Sequence, residues 1–294
     1  MSLSDIVTSL RCPKCHGKLE GDTLFHCPVC SVDYVVEDGV PRFCRESDLG
    51  FDERWRKHPA PQPTTIEQWV SKTNIPLSEL SGKVILDAGC GIGRYCKFIG
   101  DYGAQVVGVD ISWSGLSAAR GNAPGAALIQ GDLLNIPLND DCVDAAFSIG
   151  VLHHLPDPAA GFREVARLVR PGGKLAVWVY SGVQPEFDTK WQLYNDFLHE
   201  VTRSLPPDVL YEIVSRYAVP IRDAYQPEWN ALHQLMRPAY NPSDEQCISD
   251  MFDWHAPTYR FYHTYDEVKG WFDACGFNVS WCGDFPVSVT GIKR

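Results

Sequence analysis

The sequence has no long apolar run, and its basic residues are outnumbered. No segment approaches the roughly 18 to 20 apolar residues of a membrane-spanning helix, and Met1–Asp5 shows no basic stretch leading into an apolar one, as a secretion signal would. We therefore expect a cytoplasmic protein that does not enter a membrane. Lys and Arg number 26 against 37 Asp and Glu, a net charge of -11. This balance disfavours a nucleic-acid partner, since phosphate binding needs clustered basic side chains.

Cysteine, by contrast, is plentiful. The 294 residues include 11 cysteines, and without a secretion signal they favour reduced thiols and metal ligands over disulfides. Four of them form two Cys-x-x-Cys pairs with eleven residues between the pairs: Cys12, Cys15, Cys27 and Cys30. That spacing lets four thiolates bind one zinc ion tetrahedrally.

The first 45 residues resemble a zinc ribbon. The segment between the two pairs has the composition of a hairpin, and Asp33–Pro41 has the pattern of a further strand and turn. Four cysteines leave zinc no open position, so the metal would be structural. Two alternatives remain, a redox role for one pair and replacement of a cysteine ligand by His16 or His26. We expect the ribbon to pack on the rest of the chain or on a second subunit of a homodimer.

The most informative segment is an apolar run that meets an acid and then three glycines at alternate positions. The apolar run, Val84–Leu86, is typical of a strand buried on both faces, and the acid is Asp87. The glycines lack a Cβ, so the backbone can turn sharply and a ligand can lie against it; they are Gly89, Gly91 and Gly93. The alternative is a glycine-rich turn that binds nothing.

Four later segments repeat the pattern of an apolar strand followed by polar or small residues. Gln105–Asp110 ends in an acid about 20 residues after the glycines, where a carboxylate can accept hydrogen bonds from both ribose hydroxyls. Ala127–Leu133, Val143–Leu155 and Leu168–Val179 follow in order. Together with the Asp-x-Gly-x-Gly-x-Gly segment, they resemble the motifs of class I S-adenosylmethionine-dependent methyltransferases over about residues 80 to 182.

The resemblance implies S-adenosylmethionine as the cofactor and assigns residues to it. Asp110 would hold the ribose, Ile111 would pack on the adenine, and Asp132 with the Leu133 amide would lie at the adenine edge. The predicted cofactor-binding residues are Asp87, Gly89, Cys90, Gly91, Gly93, Asp110, Ile111, Asp132, Leu133 and Ile149. The implied fold is α/β and Rossmann-like, with seven mostly parallel strands, helices on both faces and one antiparallel strand near the end.

The predicted domain organisation has three parts, a zinc ribbon over 1–45, a linker with lid helices over 46–80, and a methyltransferase domain over 81–294. Residues 182–262 exceed an ordinary loop and show helical periodicity over 191–201, 208–217 and 229–236. We therefore predict a helical insertion that caps the substrate, before a last helix and two antiparallel strands. Trp55 and Trp69 are candidates either for the lid or for packing.

Candidate catalytic residues follow from what methyl transfer requires. Hydroxyl and carbon acceptors need a general base, whereas amines and thiols do not. His153 and His154 follow the fourth strand at the carboxyl edge of the sheet, where ligands bind to open α/β sheets, and an imidazole with an ordinary pKa suits a general base. We also predict catalytic roles for His255 and Tyr259, and Tyr180 is a weaker candidate. The alternative for each residue is packing.

Three functions are compatible with the sequence. The first is methyl transfer from S-adenosylmethionine to a small-molecule acceptor in biosynthesis or secondary metabolism, which the acidic charge and the aromatic insertion favour. The second is RNA base methylation, because a ribbon in front of a methyltransferase resembles a group of ribosomal RNA guanine methyltransferases. The third is a relative that binds the cofactor and no longer transfers methyl. We predict the first, an S-adenosylmethionine-dependent enzyme with a structural zinc ion.

Overall fold

The structure is a computed structural model that describes residues 9–45, 51–182, 189–223, 243–284 and 287–294. Backbone contacts divide the chain into two compact units. The first, which we call the sheet unit, comprises Met1–Ser47, Ala60–Gly182 and Phe261–Arg294. The second, the helical unit, comprises Asp48–Pro59 and Val183–Arg260. The helix predicted over 229–236 lies outside the described residues.

A seven-stranded sheet forms the centre of the sheet unit and confirms the predicted fold. In spatial order its strands are β6 (Ala127–Gln130), β5 (Gln105–Asp110), β4 (Val84–Ala88), β7 (Val143–Ile149), β8 (Val169–Val179), β10 (Val287–Lys293) and β9 (Phe277–Cys282). The first five are parallel, whereas β10 runs antiparallel to both of its neighbours. Chain order reverses between β4 and β7, so the ligand crevice of such sheets lies at the carboxyl ends of these strands.

Both faces of the sheet are covered. Alternate residues of β4 enter different cores, with Leu86 in one and Ile85 in the other. The covering helices are α2 (Ile66–Thr73), α3 (Arg94–Asp101), α4 (Trp113–Asn122), α5 (Pro158–Leu168) and α9 (Tyr265–Ala274). Thr264 caps α9 as predicted, since its side chain accepts a hydrogen bond from the Glu267 amide. Trp69 is fully buried and donates its indole N–H to the Ile75 carbonyl at 2.8 Å, so its role is packing.

The cysteine-rich segment folds into a small antiparallel sheet within the sheet unit. Its strands are β1 (Leu24–Cys27), β2 (Val32–Glu37) and β3 (Val40–Pro41). Phe25, Tyr34 and Phe43 belong to the same apolar core as Ile129 of β6. Directly after β3, the Phe43 amide donates to the Gln130 carbonyl at 2.9 Å. The ribbon therefore covers β6, the strand at one edge of the large sheet.

The helical unit contains α1 (Phe51–Lys57), α6 (Thr189–Thr202), α7 (Pro207–Asp223) and α8 (Asp244–His255). Its core includes Val214 and Phe252, both fully buried. The segment 51–57, which falls in the predicted linker with lid helices over 46–80, is helical and has an ion pair of 2.5 Å between Arg54 and Asp253. In the described parts of both units, no helix combines the length and apolar composition needed to cross a membrane.

Candidate cofactor and metal sites

The glycine loop connects β4 to α3, as predicted. Gly89, Gly91 and Gly93 all have positive φ, at 87°, 49° and 78°. The steric requirement is sharpest at Gly89, where a Cβ would lie 2.4 Å from one methyl carbon of Val151 and 2.5 Å from the other. Neighbouring atoms do not approach a Cβ so closely, so glycine alone fits there. The loop consequently packs against the chain segment that follows β7.

Asp110, the last residue of β5, holds the glycine loop in place. Its Oδ2 accepts a hydrogen bond of 2.7 Å from the Gly91 amide, and its Oδ1 accepts one of 2.8 Å from the Ser112 amide. The Gly89 amide also donates to the Val109 carbonyl at 2.8 Å. Asp110 is half-buried, and a carboxylate at the end of the strand next to a glycine loop is the type of group that accepts hydrogen bonds from ribose hydroxyls. The loop and this carboxylate therefore fit a nucleoside.

Asp87 lies in β4, beneath the loop. The side chain is buried, and the Cys96 thiol of α3 donates to its Oδ2 at 3.3 Å. Burial raises the pKa of the Asp87 carboxyl to about 7, while the Cys96 hydrogen bond acts in the opposite direction. Cys90, which follows Gly89, is also buried. Asp87 is therefore linked to the helix that follows the loop, and Cys90 is a buried residue of the loop itself.

The remaining predicted cofactor residues follow neighbouring strands at the same edge of the sheet. Ile111 is half-buried after β5, Leu133 is buried after β6, and Ile149 ends β7. Asp132 accepts the Leu134 amide on its Oδ1 at 2.9 Å. The Gly131 amide donates to the Asp110 carbonyl at 2.9 Å, which ties the segment after β6 to the predicted ribose site. The predicted residues after β4, β5 and β6 thus form one continuous rim.

Sequence reasoning missed Arg42, Gln130 and Val151. Gln130 is fully buried at the end of β6, where its side chain contacts both Arg42 of the ribbon and the Ile111 carbonyl. An amide at the end of an otherwise apolar strand was a usable signal for Gln130. Arg42 and Val151 carried none, since their partners lie far away in the sequence.

His153 and His154 lie on a short 3-10 helix, Leu152–His154, after β7. The His153 ring stacks on Tyr180 with 3.8 Å between centroids, and its Nδ1 lies 3.3 Å from the Tyr180 amide, which donates to it. Burial lowers the pKa of His153 well below its ordinary value, and His154 and His263 add to this effect. The imidazole is therefore neutral at pH 7 with its proton on Nε2. That nitrogen has no hydrogen-bond partner in the described parts of the chain.

His255 and Tyr259 belong to the helical unit. His255 ends α8 and is 1% exposed, and neither of its ring nitrogens has a hydrogen-bond partner among the residues described. Burial lowers its pKa to about 3, with a contribution from the Arg260 charge. Tyr259 is half-buried. We predicted a general base on the premise of an ordinary imidazole pKa. Because burial lowers the pKa of both His153 and His255, that premise fails for both residues.

Four thiols converge in the ribbon. The sulfur atoms of Cys12, Cys15, Cys27 and Cys30 all lie within 4.8 Å of one another. The Cys15–Cys27 and Cys12–Cys30 sulfur distances are 3.6 and 4.0 Å, which bracket the separation of about 3.8 Å expected for four thiolates 2.3 Å from a tetrahedral zinc. His26 pairs with Asp33 instead, at 2.6 Å. The donor set and spacing fit a zinc ion.

Comparisons with known proteins find similarity to methyltransferases. Residues 86–177 match a family described as a methyltransferase domain. A demethylmenaquinone methyltransferase from Corynebacterium kroppenstedtii is 39% identical over 140 residues, 47% of this chain and 57% of the relative. A probable S-adenosylmethionine-dependent methyltransferase from Mycolicibacterium smegmatis is 34% identical over 188 residues, 58% of this chain and 71% of the relative. A solved S-adenosylmethionine-dependent methyltransferase from Mesorhizobium loti is 20% identical, with a TM-score of 0.48 over 78% of this chain and 98% of that chain.

The sheet order and the glycine loop define a class I methyltransferase fold. The chain belongs to the S-adenosylmethionine-dependent methyltransferases, since it covers more than two thirds of the Mycolicibacterium relative at 34% identity. It spans just over half the length of three curated relatives that it matches, at 57%, 51% and 56%.

Proposed function

We propose that this protein transfers the methyl group of S-adenosylmethionine to a small-molecule acceptor. The observation that carries the proposal is the hydrogen bond from the Gly91 amide to Asp110, which joins the glycine loop and the ribose carboxylate into one cradle. The name of the Corynebacterium relative, which is 39% identical over the matched region, states a small-molecule acceptor, demethylmenaquinone.

The charge of the chain supports a small molecule over RNA. The net charge is -11, and an acidic protein repels a polyanion unless a basic face overrides the total. The ribbon supplies no such excess, since acids outnumber bases through Asp38. One side of the ribbon is also buried against β6, where Phe43 joins the shared core.

The proposed roles of the cofactor residues are those that the family resemblance implies. Asp110 accepts the ribose hydroxyls, Ile111 packs on the adenine, and Asp132 with the Leu133 amide contacts the adenine edge. The glycine loop lets the cofactor lie against the main chain, with Ile149 nearby at the end of β7. The bound cofactor supplies a methyl group already activated on a sulfonium, so the protein has to orient the acceptor and exclude water.

The catalytic roles are also part of the proposal. His153 is neutral and carries its proton on Nε2, so it would donate a hydrogen bond to the acceptor and not remove a proton. His255, whose pKa is about 3, is a poor base at neutral pH, and a hydrogen-bonding role fits it better. His154 is then the proposed base for a hydroxyl or carbon acceptor, and Tyr259 is proposed to donate a hydrogen bond to the acceptor. We further propose that the ribbon cysteines hold a structural zinc.

The test begins with the purified, zinc-loaded protein. Calorimetric titration with S-adenosylmethionine and S-adenosylhomocysteine measures cofactor binding, and Asp110→Ala serves as the control that should lose it. The protein is then incubated with S-adenosylmethionine labelled in its methyl group and either a small-molecule cell extract or total RNA. Label in the small-molecule fraction, absent with Asp110→Ala, is the expected result.

The other outcomes contradict separate parts of the proposal. Label in RNA would overturn the acceptor class and leave methyl transfer intact. Cofactor binding with no transfer to either fraction would favour the relative that no longer methylates. Absence of cofactor binding by the wild-type protein would refute the cofactor site itself.

A further inference from the structure

The ribbon contacts the sheet at the strand whose end borders the predicted adenine site. Arg42 and Gln130 form a parallel bridge between the ribbon and β6. On the other side of the same segment, the Arg11 amide donates to the Pro137 carbonyl at 3.0 Å. The ribbon therefore holds residues 130–137, which include Asp132 and Leu133, from two sides.

Gln130 connects the ribbon to the segment that follows β5. Its Oε1 accepts a hydrogen bond of 2.6 Å from Nε of Arg42, and its Nε2 donates one of 2.9 Å to the Ile111 carbonyl. Arg42 can only donate and a carbonyl can only accept, so the orientation of the Gln130 amide is fixed. The side chain is fully buried, where such bonds are costly to break.

Besides its hydrogen bond to Gln130, Arg42 contacts the segment after β5 directly. Its guanidinium lies 4.2 Å from the centroid of the Trp113 ring, at the start of α4. It also pairs with Glu37 of β2. The two contact points are the Ile111 carbonyl and the Trp113 ring, so the segment includes Ile111, the predicted adenine-packing residue, and Ser112, whose amide binds Asp110. Gln130 thus contacts one end of this short segment, at Ile111, and Arg42 contacts the other, at Trp113.

We propose that Arg42 and Gln130 are positioning residues that fix the adenine side of the cofactor pocket, and that metal binding to the ribbon strengthens cofactor binding through them. The four cysteines order the ribbon, the ribbon places Arg42, and Arg42 with Gln130 places Ile111 and Trp113. The inference rests on the cofactor site proposed above and is independent of the acceptor.

The test compares Arg42→Ala with Arg120→Ala. Arg120 of α4 also bridges to the ribbon, through an exposed ion pair of 2.8 Å with Asp38, but does not contact Ile111 or Gln130. Arg42→Ala should weaken S-adenosylhomocysteine binding about tenfold, the loss of one charge-assisted hydrogen bond. Arg120→Ala should bind within about twofold of wild type, as expected for an exposed pair. Arg42→Lys, which keeps the charge and loses the planar donor, should lie between.

Two further measurements separate positioning from general stability. The wild-type protein should bind S-adenosylhomocysteine more tightly than its deaminated inosine analogue, and Arg42→Ala should reduce this difference in affinity. The zinc content and thermal midpoint of Arg42→Ala should stay near those of Arg120→Ala. Zinc removal by a chelator should weaken binding in wild type but add little in Arg42→Ala, because both act through one connection.

Wild-type affinity and base preference in Arg42→Ala would overturn the inference, as would equal losses in Arg42→Ala and Arg120→Ala. If the chelator unfolds the protein, the comparison of the two variants decides the question. If wild type fails to bind S-adenosylhomocysteine, the proposed cofactor site fails first and the inference falls with it.

Discussion

Replacement of Gly89 by alanine should disrupt the cofactor loop through a steric clash, and the cost of this clash can be measured separately from the cost of the positive φ. Two costs combine at this position. Positive φ costs an alanine about 1 to 2 kcal/mol, and Gly89 has a φ of 87°. The added Cβ would also meet Val151 at 2.4 Å, an overpacking that costs about 1 to 3 kcal/mol. We expect Gly89→Ala to lower the free energy of unfolding by about 2 to 5 kcal/mol and to abolish S-adenosylhomocysteine binding.

A matched control isolates the clash. Gly172 has a φ of 77° and no atom within 4 Å of a built Cβ, so Gly172→Ala carries the backbone cost alone. Val151→Ala in the Gly89→Ala background removes both clashing methyl groups and should restore about 1 to 2 kcal/mol, leaving the strain from φ and the remaining Val151 Cβ contact. Urea unfolding and calorimetry measure both quantities. If Gly89→Ala is no less stable than Gly172→Ala, or the second substitution restores nothing, the steric argument is wrong.

Three further predictions concern other parts of the protein. Asp110→Asn should weaken S-adenosylhomocysteine binding about a hundredfold, through the loss of charged hydrogen bonds, at unchanged zinc content; calorimetry with near wild-type affinity would contradict the ribose assignment. Cys12→Ser should reduce bound zinc and the thermal midpoint, because a fully buried ligand of the shared core is lost; an unchanged midpoint with zinc absent would contradict a structural metal. Burial lowers the pKa of His255 to about 3 in the folded protein from an ordinary value of 6.5, so the folded protein should lose stability as pH falls from 6.5 towards 3, by about 2 kcal/mol at pH 5. The free energy of unfolding should depend less steeply on pH in His255→Asn, and parallel curves for the two proteins would refute this.

The strands, the glycine loop and the cysteine cluster could be predicted because their signals are local. A buried strand needs a run such as Val84–Leu86, and two Cys-x-x-Cys pairs fix their own ligand geometry. The connection of Arg42 to Gln130 joins residues 88 positions apart, and no periodicity marks it. The pKa of His153 depends on burial by distant elements, so an ordinary imidazole was the natural but wrong expectation. The pairing of the helix at 51–57 with α8 could not be predicted because Asp253, the partner of Arg54, lies about 200 residues later in the chain.

Because the ribbon covers one edge of the large sheet, the chain cannot be truncated before β4 without exposing that edge. A chain shortened to begin near Lys83 would retain every cofactor motif, yet it would leave β6 without the ribbon strand beside it and would expose Ile129 and Leu138 of the shared core to solvent. An open strand edge with apolar neighbours recruits other strands. Such a fragment should self-associate as its concentration rises, and its weak activity would then be misattributed to a missing catalytic group.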